Sequence, residues 1–233
     1  MQSTLSNEAQ QSIRDFLKGH TLSRGLGHKE SACSIAAINL ALDGRLTDEI
    51  PKCMSQIIGN WIIRVQDFMP NEIRNGAEWR NLLPFAAGTG RKSERARLEA
   101  ILNWYWELMP EGQEAAERFG IGVMWSDAIK TRDTTKLKNF TVSGYRSASQ
   151  VGIHHFTKAM DEASRVASAP YGVWGRFDSL NPHMYYQGAW VAGGVISIVE
   201  LSCIGMFPKE EISVKLWKKI DPVGMLKRLI ETE

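Results

Sequence analysis

Residues 31–69 constrain this chain more than any other stretch. After Ser31 they read ACSIAAINLAL, then a polar DGRLTDE, then IPKCMSQIIGNWIIRVQDFM. The first segment is apolar on nearly every side, interrupted only by Ser34 and Asn39, and predicts a buried helix. The second repeats apolar residues at Ile50, Met54, Ile57, Ile58, Trp61, Ile62, Val65 and Met69, the spacing of one helical face. Asp43-Gly44 stops the first helix, with Gly44 as the left-handed cap. Thr47 or Asp48 is expected to start the second, with Pro51 in its first turn, where a missing N–H costs nothing. Lys52, Gln56, Asn60, Arg64 and Gln66 fall largely on its other side, and Pro70 ends it. The expectation is a buried helical hairpin with a tight turn, at the centre of a mainly α, multi-helix globular fold with little or no β.

The other segments fit that class. Residues 6–18 read as a helix capped by Ser6, ended by Gly19 and His20, with Ile13, Phe16 and Leu17 on one face. TLSRGLGHK, residues 21–29, is a loop whose glycines permit unusual backbone angles, and Glu30 or Ser31 supplies the first turn or cap of the hairpin. Residues 71–83 predict a shorter helix, 84–90 a loop and 91–109 a long amphipathic helix. In that long helix Leu98, Ile101, Leu102 and Tyr105 face inward, and Ser93, Glu94, Arg97, Glu99 and Asn103 outward. Residues 147–168 and 188–206 predict two further helices. Asp221-Pro222 opens a last one with Val223, Leu226, Leu229 and Ile230 inside. The 233 residues suffice for one domain or two small ones. The organisation drawn is a helical core region, 1–120, with a second helical region, 121–233, packed on it in one continuous domain.

Bulk properties exclude several function classes. A net charge of +2 argues against a protein whose main work is neutralising phosphates. Cys33, Cys53 and Cys203 make no disulfide framework and no CxxC spacing, which suits a reducing cytosol. The N-terminus shows no signal-peptide pattern. Residues 188–207 have the length of a membrane span, but Glu200 and the pair Gly193-Gly194 interrupt them. A buried core helix is expected there, and no membrane association.

Cys33 is the sharpest candidate for chemistry. It follows a Gly-rich loop and starts a helix, where free N–H groups and the dipole lower a thiol pKa. A cysteine hydrolase would pair it with His154 or His155, oriented by Asp161 or Asp178. The competing reading is a small core residue. Adjacent histidines point about a hundred degrees apart on a helix, so His154 and His155 make no shared metal site; neither metal nor cofactor is expected. Gly88, Gly90 and Arg91, with Lys92 and Arg95, could hold an anion at a helix start, although the P-loop spacing is absent. Basic residues gather at Lys130, Arg132, Lys136 and Lys138 and at Lys215, Lys218, Lys219, Lys227 and Arg228, near Phe140, Tyr145 and Trp217. Nucleic-acid binding is an alternative on that basis. Trp174, Phe177, Tyr185 and Tyr186, on an irregular Gly- and Pro-containing stretch, join Trp217 as the candidate protein-binding surface.

One resemblance bears on setting. The run ACSIAAINLAL, GRLTDEIPKCMS, IIGNWIIRVQD, MPNEIRN, AEW and LLPFAAGTGR, together with the closing DPVGMLKRLIETE, resembles a family of uncharacterised proteins encoded in bacteriophage and prophage genomes. The match covers the N-terminal half and the last dozen residues, and departs from the family between about 120 and 220. It implies a phage-linked protein in the bacterial cytoplasm and no established reaction. The function expected is therefore non-enzymatic engagement of a bacterial protein or complex, including a defence or host-takeover target. Homo-oligomerisation is compatible with each reading.

Overall fold

The computed structural model describes residues 4–108, 122–132 and 217–232, with Pro110, Gln113 and Glu117 between them. The described chain is mostly helical. Its elements are α1 (Asn7–Lys18), β1 (Thr21–Leu22), β2 (Gly27–His28), β3 (Ser31–Ala32), α2 (Ser34–Asp43), α3 (Gln56–Phe68), α4 (Asn71–Arg74), α5 (Ala77–Ala87), α6 (Glu94–Leu108), α7 (Gly122–Thr131) and α8 (Pro222–Glu231). The chain divides into two compact units, Met1–Ala100 with Asp221–Glu233, and Ile101–Ile220. The last helix thus returns to the first unit, packing on α5 and α3, which a linear division at residue 120 does not provide for. The expected helices at 147–168 and 188–206 lie outside the described residues.

Local chemistry explains most helix ends. Ser6 Oγ accepts the Ala9 N–H at the start of α1, and Gly44 adopts φ 75° at the end of α2. Asp221 accepts the Gly224 N–H at the start of α8, with Pro222 in its first turn. Met225 is buried beside Leu226, Leu229 and Ile230, while Val223 is only half-buried.

The helical hairpin exists, but its connection is long rather than tight. Helix α3 begins at Gln56, capped by Ser55, not at Thr47 or Asp48. Residues 45–50 are irregular because the Asn39 amide on α2 donates to the carbonyls of Thr47 and Glu49, each at 2.8 Å. Ile50, expected on the helical stripe, instead lies across Gly59 of α3. A Cβ on Gly59 would stand 2.6 Å from the Ile50 side chain, so the missing side chain is what admits this crossing. The core stripe of α3 is otherwise as its periodicity requires: Ile57, Ile58, Trp61, Ile62 and Val65 are fully buried. Each aliphatic side chain so buried contributes about 1.5–3 kcal/mol. Trp61 meets Trp79 of α5 with ring centroids 6.2 Å apart.

Two further expectations are revised, one beyond Pro70 and one before the hairpin. The single helix at 71–83 is two, α4 and α5, separated at Gly76, and α5 runs through Pro84 to Ala87. Ser31, expected at the cap of the hairpin, lies in β3 of a three-stranded sheet of order β1-β3-β2, with β1 parallel and β2 antiparallel to β3.

Three polar residues expected on outer faces are buried: Gln66, Glu94 and Arg97. Each has a backbone end to satisfy. Glu94 sits against the start of α3, accepting the Gln56 N–H at 2.7 Å, the Ile57 N–H at 3.3 Å and the Ser55 hydroxyl at 2.5 Å. Arg97, one turn later, donates to Leu229 O near the end of α8 and to Gly90 O and Thr89 O. Two more arginines do the same elsewhere. Arg74 donates to Gln66 O and Met69 O at the end of α3, to Leu22 O of β1 and to the Asn71 side chain. Arg80 donates to Leu17 O and His20 O at the end of α1. Burial lowers the pKa of all three guanidiniums.

In the second unit the described part of α6 and α7 buries Trp104, Trp106 and Trp125, and the Trp104 indole donates to Ile220 O at 3.0 Å.

Arg74→Met leaves the Gln66 and Met69 carbonyls without their side-chain donor and Leu22 O with Asn75 as its remaining side-chain donor, and is expected to cost about 3 kcal/mol, since each buried unsatisfied group costs about 1–3 kcal/mol. Arg74→Lys, which keeps the charge but loses the planar fork, should recover part of it. Urea unfolding of the three proteins checks the ranking; equal midpoints would contradict it.

Candidate functional site

Cys33 lies at the start of α2, as its sequence position requires, but as a cap. Its Sγ accepts the Ala36 N–H at 3.3 Å, and the residue is 2% exposed. The next donor, Ser34 N–H, goes to Gln66 Oε1 at 2.7 Å, and Ser34 Oγ accepts from the Trp79 indole at 3.1 Å. Burial raises the thiol pKa; hydrogen bonds from Ala36, Gln66 and Ile35 oppose it with less effect. Of the two readings of Cys33, the small core residue therefore fits and the thiol activated by a helix start does not: desolvation outweighs the dipole when the sulfur is buried. His154 and His155 lie outside the described residues, as do Asp161 and Asp178.

The Gly88–Arg91 loop is also built into the fold. Gly90 has φ 60°, and its N–H, the group an anion would need, donates to Cys53 O at 2.8 Å. Gly88 O accepts from the backbone N–H and hydroxyl of Thr4, and Thr89 Oγ1 accepts the Ser55 N–H. The carboxylate that reaches a helix start here is the protein's own Glu94, at α3. Arg91 is exposed.

Trp217, expected on a partner-binding surface, is buried at 7% exposure. It lies in a helical turn whose Ile220 carbonyl is held by Trp104, so its indole is not an open platform for a partner or a base. Trp174, Phe177, Tyr185 and Tyr186 lie outside the described residues. The basic residues Lys130, Arg132, Lys218, Lys219, Lys227 and Arg228 are exposed, and Lys227 is 4.0 Å from Glu231. Among the described residues no group of three His, Cys, Asp or Glu is placed to hold a metal ion, and no helix is long and apolar enough to cross a membrane.

The feature that residue patterns did not single out is the segment between β1 and β3. Residues 24–30, RGLGHKE, a loop in the expected reading that here carries the two-residue strand β2, are all exposed, with Leu26 at 40%. The segment is nevertheless fastened at many points. Gly25 N–H donates to Asp67 on α3 at 2.9 Å, Ser23 Oγ to Ser31 O, and Cys33 N–H to Leu26 O. Gly27 turns at φ 73°, where an added Cβ would stand 2.1 Å from Ser31 O. His28 and Glu30 pair at 2.9 Å across the tip.

Beneath the loop, β1 is pinned by the end of α4 and its cap: Leu22 N–H donates to Asn75 Oδ1, and Leu22 O accepts from Arg74 and Asn75. The His20 ring, 6% exposed, accepts the Ala32 N–H at Nε2, 3.0 Å away. The sequence signal for the loop was Gly25-Leu26-Gly27, an apolar residue between two glycines that both adopt positive φ. Comparison with protein-family models, characterised proteins and solved structures finds no match for this chain.

Iodoacetamide applied to the native protein is expected to leave Cys33 unmodified while Cys53, which is only half-buried, reacts before it. Site-resolved mass spectrometry before and after denaturation checks this. Fast native labelling of Cys33 would show that its thiol is open and ionised.

Proposed function

We propose that this protein acts by binding rather than by catalysis, engaging a bacterial macromolecule through the exposed 24–30 loop. The observation that carries the reading is the combination found there: an apolar side chain, Leu26, held out in solvent on backbone fastened to α3 and β3. Binding residues are often found on loops positioned by a rigid scaffold, and a pre-ordered loop loses less entropy when it docks. Arg24 and Lys29 flank Leu26 with polar groups suited to an interface rim. The resemblance to phage-encoded proteins supplies the setting, a bacterial cytoplasm in which the partner is a host protein or complex, including one of a defence system. The Cys33 thiol, capping α2 and raised in pKa, favours this reading over a cysteine hydrolase.

The test is capture from bacterial lysate with the full chain, wild type against Leu26→Asp, with Phe85→Asp as the surface control. Phe85 is 47% exposed on α5, away in sequence from the loop. The expected result is a partner retained by wild type and Phe85→Asp and lost by Leu26→Asp, with unchanged circular dichroism in all three. Equal capture by wild type and Leu26→Asp would contradict the assignment to this loop.

A further inference from the structure

His20 joins two facts that are separate in the sequence: it ends α1, and it holds β3. Its Nε2 accepts the Ala32 N–H at 3.0 Å, so that nitrogen carries no proton and the ring is the neutral form protonated at Nδ1. The ring stacks on Phe16 of α1, centroids 4.7 Å apart. The His20 carbonyl is meanwhile held by Arg80. The bond to Ala32 lies at the base of the 24–30 loop, one residue before Cys33, whose N–H holds Leu26 O.

We infer that His20 is an acid-sensitive latch for the 24–30 loop. A proton from solvent taken up at Nε2 converts the acceptor of the Ala32 N–H into a donor facing another donor. The Ala32 bond must then break, and β3 loses its side-chain tie to the end of α1. The charged and titratable groups that act on the ring are Arg80 from α5 and Glu30 and His28 from the loop itself. Burial, first, and then Arg80 disfavour the charged ring; Glu30 favours it and His28 opposes it. The folded pKa therefore lies below the ordinary 6.5. With a folded value below the open one, the closed loop has its full stability above 6.5 and loses it as pH falls through the folded value. The inference concerns the same loop as the binding reading and deepens it by adding its regulation.

The experiment is hydrogen exchange and imidazole ¹⁵N NMR on the full chain, from neutral to acid pH, for wild type and His20→Gln. Gln keeps a neutral acceptor at every pH. In wild type the ring should titrate below 6.5, with the Nδ1–H tautomer at neutral pH. After correction for intrinsic exchange, protection of the Ala32 amide should fall by up to about tenfold per pH unit between 6.5 and the ring's own pKa, then level off. In His20→Gln it should stay flat. A wild-type ring titrating at 6.5 like a free imidazole, or Ala32 protection that does not change as the ring titrates, would overturn the latch, and the wild-type data decide this even if the variant fails to fold. No partner is used, so a failure to capture one from lysate leaves this result standing, and the reverse also holds.

Discussion

A helix packed inside a protein leaves free N–H groups at its start and free carbonyls at its end, and buried ends must find partners within the protein. The first unit meets this constraint with long charged side chains. Glu94 closes the start of α3, while Arg74, Arg80 and Arg97 close the ends of α3, α1 and α8. Each sign matches the helix dipole it meets, negative at the start and positive at the end. Glu94 and Arg97 stand one turn apart on α6, so a single helical turn serves two other helices at once. The guanidinium suits this task because its fork donates to several carbonyls together. The apolar stripes then pack on ends that are already fixed.

The same arrangement explains what the loop region can do. The sheet is only two residues per strand, far short of what holds itself together in water. It exists because Arg74 and Asn75 hold Leu22 and because His20 holds Ala32. An exposed loop built on such a sheet is rigid only while those side chains stay in place. Its order is thus borrowed from the helical core, and a change at one buried side chain is felt at the tip.

Much of the helical framework was legible in residue order. The α3 stripe, the Gly44 stop, the Ser6 cap and the Asp221-Pro222 start follow from neighbours within one or two turns, and local chemistry decides them. What was not legible depends on residues far apart in the chain. Glu94 looks like an outer-face residue on α6 by periodicity, yet it serves a helix start 38 residues earlier. Arg97 meets a carbonyl 132 residues later. Ile50 left its expected helix because Gly59 made room for it, and at Cys33 residue order offered both a dipole-activated thiol and a small core residue, a choice that burial alone decides. Trp217 was read as a surface aromatic for the same reason: composition around a tryptophan does not reveal what covers it. The 24–30 loop showed only its glycines, since exposure of Leu26 is decided by strand pairing rather than by sequence pattern.

If buried charges at helix ends organise this unit, the carboxylate at the start of α3 is the place to test it. Glu94→Gln conserves shape but removes the charge and turns one acceptor into a donor against N–H groups. Equilibrium urea unfolding should show a loss of about 2–3 kcal/mol, the scale of a buried hydrogen-bonded charge. A loss within about 0.5 kcal/mol, as for an ordinary surface substitution, would contradict the account.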